Sequence, residues 1–226
     1  MQYIGTQYGG WWIPIDIPLN KDSIVYSGGI GEDMSFDVKL QSKYGCTVVC
    51  IDPTKRAIQH YKQLEHYYKT GEKNFTGDIQ PDYFEQIESE QPDFSKMPYL
   101  DIGISDSSGT LKFYKQDNDK YVSQSLVKCM FSSKYDTVQV DTIPNIMKKY
   151  GHTHIDLLKL YIEGSEPFVL QQMFSSNIKP KYLLIEFDLY LKKKDKGETK
   201  KVVEWMLRNG YQILKNDRMN ITFVYK

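Results

Sequence analysis

The sequence predicts an α/β protein: a Rossmann-like, mainly parallel sheet with an antiparallel hairpin at its carboxyl end. From Ser23 to Gly210, short apolar runs rich in β-branched residues alternate with segments of helical periodicity. That alternation is typical of βαβ units with right-handed crossovers. Two further apolar runs, 211–214 and 221–225, flank the polar segment 216–218. They predict a closing pair of antiparallel strands.

A length of 226 residues suits one domain of moderate size. We expect residues 1–20 to be an irregular N-terminal arm and residues 21–226 to be the single folded domain. The arm carries Trp11 and Trp12, which we expect to cover a hydrophobic edge, or alternatively to form a lid over a site. The abrupt start is also what a domain of a longer, glycan-modifying chain would show.

Composition excludes several classes of partner. The chain has 29 basic and 29 acidic residues, and this balance argues against a general nucleic-acid binder. No apolar run is long enough to predict a transmembrane helix, and the first residues do not resemble a signal peptide. The odd set Cys46, Cys50 and Cys129 contains no CxxC pair, so we expect reduced thiols in the cytoplasm.

The segment from Ser23 to Asp52 organises the rest of the chain. An apolar strand runs into Gly28, Gly29 and Gly31, a helix follows, and a second buried strand ends on Asp52. Glycines at such a turn let a ligand approach the backbone closely. An acidic residue about 20 positions beyond them is where nucleotide-binding α/β folds hold a ribose. The segment therefore predicts a site for an adenosine-bearing ligand.

The residues of the glycine turn narrow the choice of ligand. Met34 stands where a dinucleotide-binding turn needs a small residue, and no Gly-Lys-Ser/Thr follows that would indicate a P-loop. Glu32 and Asp33 place negative charge where a pyrophosphate would lie. An acidic turn suits a cationic ligand without phosphate, such as S-adenosylmethionine. A nicotinamide-dependent dehydrogenase is the weaker alternative.

Further strands are expected downstream. Residues 99–104 predict a third strand, with a return strand at 110–114 after a polar turn. Residues 155–162 and 181–187 predict two more buried strands, and Lys159 interrupts the first of them. Because ligands bind at the carboxyl ends of such strands, the residues that follow them are candidate site residues.

Four motifs, in order along most of the chain, resemble the FkbM-type family of S-adenosylmethionine-dependent methyltransferases. They are the glycine loop at 27–37, Ile-Asp-Pro-Thr at 51–54, Ile-Gly-Ile-Ser-Asp at 102–106, and Asp-Leu-Leu-Lys-Leu-Tyr-Ile-Glu-Gly-Ser-Glu at 156–166. The resemblance implies the class I methyltransferase fold, S-adenosylmethionine as cofactor, and O-methylation of a small-molecule or glycan hydroxyl. A deoxyhexose such as rhamnose or fucose is the expected acceptor.

One residue departs from the family pattern. Tyr161 stands where the family usually has Asp, near the catalytic end of the fourth strand. The change removes a carboxylate that could serve as a base or metal ligand, so metal dependence stays open. It also keeps an alternative in view, a non-catalytic domain that binds S-adenosylmethionine or a partner.

The candidate site residues fall into three groups. Cofactor-binding candidates lie on the glycine loop, at the second strand tip and after the third strand: Gly28, Gly29, Gly31, Glu32, Asp33, Ser35, Asp52, Pro53, Ser105 and Asp106. Catalytic candidates lie at the ends of the next two strands: Lys159, Tyr161, Glu163, Glu186 and Asp188. Substrate-binding candidates are Trp11, Trp12, Ser123 and Ser125. Glu186 has the alternative of pairing with Lys159.

Overall fold

The computed structural model describes residues 1–116, 123–127, 133–187 and 197–226, so Asp188 and Cys129 lie outside the described residues. In chain order the strands are β1 Gln2–Ile4, β2 Trp11–Ile13, β3 Ile24–Gly28, β4 Thr47–Ile51, β5 Tyr99–Leu100, β6 Gly103–Ile104, β7 Gly109–Lys115, β8 Gln124–Ser125, β9 Tyr135–Asp141, β10 Leu157–Leu160, β11 Tyr182–Glu186, β12 Tyr211–Asp217 and β13 Asn220–Tyr225. The α-helices are α1 Ser35–Tyr44, α2 Lys55–Thr70, α3 Tyr83–Ile87, α4 Ile143–Tyr150, α5 Glu166–Ser175 and α6 Glu198–Arg208.

A seven-stranded sheet forms the centre of the molecule, in the order β12-β13-β11-β10-β3-β4-β5. The strands from β11 to β5 run parallel, β13 runs antiparallel to β11, and β12 runs antiparallel to β13. This confirms the predicted fold class. Chain order reverses between β3 and β10, and this switch point is where ligands bind in open parallel sheets.

The predicted third strand is wrong as a single element. Residues Tyr99–Leu100 end the main sheet as β5, whereas Gly103–Ile104 join a separate four-stranded sheet as β6. Strand β7 does not return along β6 but pairs antiparallel with β9 and β8. An apolar run of six residues has the same pattern whether it stays in one sheet or crosses to another, so periodicity could not reveal the break.

The N-terminal arm is not irregular. Strands β1 and β2 form an antiparallel hairpin, with Gln2 opposite Ile13. We call residues 2–13 the N-terminal hairpin. It is attached to α1 and β13, because Gln2 Nε2 donates to the Tyr44 hydroxyl and Thr222 Oγ1 donates to the Trp12 carbonyl. Both partners lie far along the chain, which is why local sequence patterns did not indicate the hairpin.

Apolar side chains fill both faces of the main sheet. One cluster includes Trp11 and Phe36, and the other includes Leu170 and Met206. Within the described residues, no helix has both the length and the apolar character needed to cross a bilayer. Lys159 is a buried charged side chain in this apolar interior, and it lies on β10 beside the switch point of the sheet.

Candidate functional site

A cavity of about 220 Å³ opens at the carboxyl ends of β3, β4 and β10, beside the switch point of the sheet. We call it the first cavity. Its lining combines glycine backbone, carboxylates and apolar walls: Gly29, Gly31, Glu32, Asp33, Asp52, Ile51, Ile102, Ile104, Phe113 and Ile162 among others. Such a mixture suits a ligand with an apolar ring and polar groups of positive or neutral character.

The glycine loop can exist only with glycine at its tightest point. Gly29 has a φ of 79°, and a Cβ built there would lie 1.8 Å from the Tyr161 carbonyl oxygen. Its N–H donates to the Ile51 carbonyl at 3.0 Å, and the Tyr161 N–H donates to the Gly28 carbonyl at 3.0 Å. These contacts connect the ends of β3, β4 and β10, which together form the floor of the first cavity.

Asp52 joins the second strand tip to the glycine loop. Its Oδ2 accepts from the Gly31 N–H at 2.9 Å, and its Oδ1 accepts from the Thr54 N–H at 2.8 Å. Burial raises the pKa of the carboxyl, and the hydrogen bonds from Gly31 and Thr54 oppose that shift. Each carboxylate oxygen has a further lone pair, so Asp52 can still accept from a ligand.

Glu32 lines the first cavity, but its carboxylate already accepts hydrogen bonds from other groups of the protein. Arg56 donates to both of its carboxylate oxygens, and the Asp78 N–H donates to Oε2 at 3.0 Å. A Cβ built on Gly77 would lie 2.0 Å from Glu32 Oε1, so the loop after α2 is packed directly on this carboxylate. Glu32 therefore fastens that loop to the glycine loop.

Asp33 connects the glycine loop to the N-terminal hairpin. Its Oδ2 accepts from the Thr6 hydroxyl, and its Oδ1 accepts from the Ser35 N–H at 3.0 Å. The N-cap of α1 is Met34, whose side chain makes no capping hydrogen bond. Burial raises the pKa of Asp33, and hydrogen bonds from Ser35 and Thr6 and the charge of Lys159 oppose the rise.

Lys159 reaches the first cavity from β10 and is only 2% exposed. Its Nζ lies 3.8 Å from Asp37 Oδ2 and 3.5 Å from the Gly29 carbonyl oxygen. The ion pair is therefore with Asp37 of α1, and not with Glu186 as one alternative had it. Sequence reasoning did not identify Asp37, although its carboxylate on the buried face of a helix was a signal that could have done so.

The turn after β10 presents Glu163 in a strained conformation. Glu163 has a φ of 56°, a backbone region that costs energy for residues other than glycine. Two contacts support it: Ser125 Oγ donates to the Glu163 carbonyl at 2.6 Å, and Glu166 Oε1 accepts from the Ile162 and Gly164 N–H groups. Burial raises the pKa of Glu166 to about 7.

A second cavity, of about 620 Å³, adjoins the first. We call it the second cavity. The N-terminal hairpin and the β12–β13 hairpin form its walls, with Trp11 and Trp12 on one side and Asp217 to Asn220 on the other. Trp12 Nε1 donates to Asp217 Oδ2 at 3.0 Å and so connects the two hairpins. Glu186 faces this cavity from the end of β11.

The two cavities share four lining residues: Tyr8, Ser123, Tyr161 and Glu163. The phenols of Tyr8 and Tyr161 are close enough to interact with each other at this junction. Burial, the most important cause, and the nearby carboxylates Glu186 and Glu163 raise the pKa of the Tyr161 phenol, which therefore remains protonated. A group in either cavity can reach this junction.

The structure gathers most of the predicted site residues around these cavities. Six cofactor candidates line the first cavity: Gly29, Gly31, Glu32, Asp33, Asp52 and Pro53. Lys159, Tyr161 and Glu163 also line it, whereas Glu186, Trp11 and Trp12 line only the second cavity and Ser123 lines both. Five candidates line neither cavity: Gly28, Ser35, Ser105, Asp106 and Ser125.

Those five have packing or hydrogen-bonding roles. A Cβ on Gly28 would lie 2.5 Å from Ile104 Cδ1, and Ser35 Oγ accepts from the Thr6 N–H at 2.9 Å. Ser105 Oγ donates to Asp106 Oδ1 at 3.2 Å. In the ranges that the structure describes, no group of at least three His, Cys, Asp or Glu side chains is placed to hold a metal ion.

The sequence and the fold of the chain are similar to those of known methyltransferases. Residues 29–213 match the methyltransferase FkbM domain family. The chain is similar in fold to the crystal structure of methyltransferase FkbM from Methylobacillus flagellatus KT, with 18% identity and a TM-score of 0.52. That match covers 92% of this chain and 44% of the solved chain, so this chain spans less than half of its relative's length. No curated protein matches the chain. The family match covers most of the sequence, and the chain belongs to the FkbM methyltransferase domain family.

Proposed function

We propose that the protein is an S-adenosylmethionine-dependent O-methyltransferase that acts on a sugar or glycan hydroxyl. The observation that carries this proposal is the pair of adjoining cavities that meet at Tyr8, Tyr161 and Glu163. Methyl transfer needs a donor and an acceptor held in line, and positioning of this kind can supply about 7–11 kcal/mol of the barrier reduction. Family membership supports the reaction class.

The residues of the first cavity fit the cofactor. Asp52, at the tip of β4, would accept from the ribose hydroxyls. The apolar walls at Ile102, Ile104 and Phe113 would hold the adenine ring. Asp33 would attract the cationic amino acid portion, whereas Glu32 is engaged by Arg56. The cofactor supplies an activated methyl group on a sulfonium.

Glu163 would remove the proton of the acceptor alcohol. Its side chain faces both cavities, and its strained backbone is supported by Ser125 and Glu166. A base in hydrogen-bond reach of the reacting hydroxyl accelerates such transfers by roughly 10²–10⁴-fold. Lys159 would act indirectly, because its ammonium is held between Asp37 and the glycine loop.

The second cavity would hold the acceptor. Trp12 offers aromatic surface for the apolar face of a sugar, whereas Trp11 is only 2% exposed and belongs to the core. Gln7 and Asn220 offer hydrogen bonds for the sugar hydroxyls. A deoxyhexose such as rhamnose or fucose combines these two properties. We also propose a cytoplasmic location, with Cys46 and Cys50 as buried free thiols.

Calorimetry with S-adenosylhomocysteine would test the cofactor assignment. We expect binding by the folded protein and at least about tenfold weaker binding by Asp52→Ala, which loses a hydrogen-bond acceptor. Transfer would be measured by mass spectrometry with p-nitrophenyl rhamnoside and fucoside. Absence of binding would overturn the proposed function, and binding without transfer to any sugar hydroxyl would favour a non-catalytic domain.

A further inference from the structure

The N-terminal hairpin brings a residue from outside the matched family segment to the centre of the site. The match begins at residue 29, and Tyr8 lies on the loop between β1 and β2. Tyr8 lines both cavities, and its side chain is 55% exposed at their rim. Sequence reasoning considered the tryptophans of this segment and did not single out Tyr8.

The loop that carries Tyr8 is fixed in place. The Thr6 N–H donates to Ser35 Oγ at 2.9 Å, and the Gln7 N–H donates to Asp82 Oδ2 at 3.0 Å. A Cβ on Gly9 would lie 2.6 Å from Asp33 Cγ, so the loop packs directly on the glycine loop. Anchored on both sides of Tyr8, the backbone holds this side chain at a defined position over the cavities.

Tyr8 and Tyr161 both line the junction where the cavities meet, and their phenols interact with each other there. Tyr161 comes from the end of β10, so the pair connects the hairpin to the switch point of the sheet. Glu163 lines the same junction. The junction therefore holds hydrogen-bond donors next to a carboxylate that can accept a proton.

We propose that Tyr8 is an acceptor-positioning residue, which acts with Tyr161 to orient the reacting hydroxyl between the two cavities. An attacking alcohol oxygen would use one lone pair to form the new C–O bond as the methyl–sulfur bond of S-adenosylmethionine breaks and S-adenosylhomocysteine leaves. The proton of the alcohol would pass to a carboxylate. A phenol that donates to the other lone pair selects the orientation in which the first points at the methyl group. This inference rests on the proposed function and adds a residue that the family match does not contain.

Tyr8→Phe is the direct test, because it keeps the ring and removes the phenol. We expect the S-adenosylhomocysteine Kd to stay within about threefold and the kcat for transfer to p-nitrophenyl rhamnoside or fucoside to fall about tenfold or more, as for a lost hydrogen bond at the reacting atom. Tyr161→Phe should give a similar loss. The double variant should be little worse than either single variant, because the phenols act as one unit.

Tyr44→Phe is the matched control. It removes a phenol that bonds the same hairpin, through Gln2 at 3.3 Å, yet Tyr44 lines neither cavity. Its kcat should stay within about twofold of the unmodified protein, since hydrogen-bond effects at separate sites do not couple. Unchanged kcat in Tyr8→Phe, or an equal loss in Tyr44→Phe, would overturn the inference while the proposed function stands. Failure of the unmodified protein to bind S-adenosylhomocysteine, or to methylate either sugar, would overturn both.

Discussion

Lys159 and Asp37 form an ion pair inside the protein, with Nζ 3.8 Å from Oδ2 and side chains that are 2% and 0% exposed. This distance is too long for a hydrogen bond, and among the described residues neither carboxylate oxygen of Asp37 has a hydrogen-bond partner. Charge attraction between the two buried groups therefore holds the pair. Lys159 Nζ also contacts the Gly29 carbonyl oxygen, so the ion pair restrains the position of the glycine loop.

A double-mutant cycle would measure this pair. Asp37→Asn and Lys159→Met each leave one buried charge without its partner, so each should lower the free energy of unfolding by about 3–5 kcal/mol. The double variant should lose less than the sum, because it leaves neither charge. Urea denaturation measures all four proteins. Additive losses would show that the two charges do not interact.

Glu166 should make stability depend on pH near neutrality. Burial raises its pKa from 4.5 to about 7, so the folded state binds the proton more tightly than the unfolded state. Its contribution to stability is therefore full below about pH 4.5, falls as the pH rises to about 7, and is level above that. At about 1.4 kcal/mol per pKa unit, the whole change is about 3 kcal/mol.

Glu166→Gln isolates this effect, because glutamine keeps an acceptor for the Ile162 and Gly164 N–H groups without a titrating proton. The variant should gain stability relative to the original from about pH 5 to about pH 8 in urea titrations. The comparison also cancels His60, whose pKa burial lowers to about 4 and whose contribution falls as the pH drops. A difference that does not vary with pH would contradict the assignment.

Local patterns in the sequence were sufficient for the floor of the first cavity and for the main sheet, apart from the break between β5 and β6. The glycine loop, the helix after it and Asp52 lie within 25 residues of one another, and their geometry follows from steric limits that each residue carries with it. The β12–β13 hairpin could also be predicted, because a polar turn separates two apolar runs in the sequence.

Contacts between distant segments could not be predicted. Glu32 was expected to face the cofactor, but Arg56 and the Asp78 N–H engage it from a helix and a loop further along the chain. The N-terminal hairpin closes the second cavity through pairs such as Trp12 with Asp217. No periodicity or motif encodes such a pairing, since it depends on how complete elements pack.

The pairing of Glu32 with Arg56 leads to a prediction about cofactor binding. If Glu32 acts by fastening the loop at Asp78, removal of Arg56 should weaken binding as much as removal of the carboxylate. We expect Glu32→Gln and Arg56→Met each to weaken S-adenosylhomocysteine binding about tenfold, and the double variant no further. Calorimetry measures the S-adenosylhomocysteine Kd of the three variants and of the unmodified protein. A large loss in Glu32→Gln with none in Arg56→Met would instead indicate direct contact between Glu32 and the cofactor.

Gly29 and Gly31 separate steric exclusion from backbone strain in the glycine loop. Both have positive φ, 79° and 59°, but a Cβ on Gly29 would lie 1.8 Å from the Tyr161 carbonyl oxygen, whereas a Cβ on Gly31 would meet nothing within 4 Å. Gly31→Ala should therefore cost only the left-handed strain, about 1–2 kcal/mol in the free energy of unfolding. Gly29→Ala must also separate the end of β3 from the turn after β10, and it should destabilise the protein more.

Because that separation opens the cavity floor, S-adenosylhomocysteine binding should fall on the order of 100-fold in Gly29→Ala, a loss of about 2.7 kcal/mol, and much less in Gly31→Ala. Denaturation and calorimetry on the two variants measure both effects, and equal losses at the two positions would mean that the contact between Gly29 and Tyr161 does not hold the floor together.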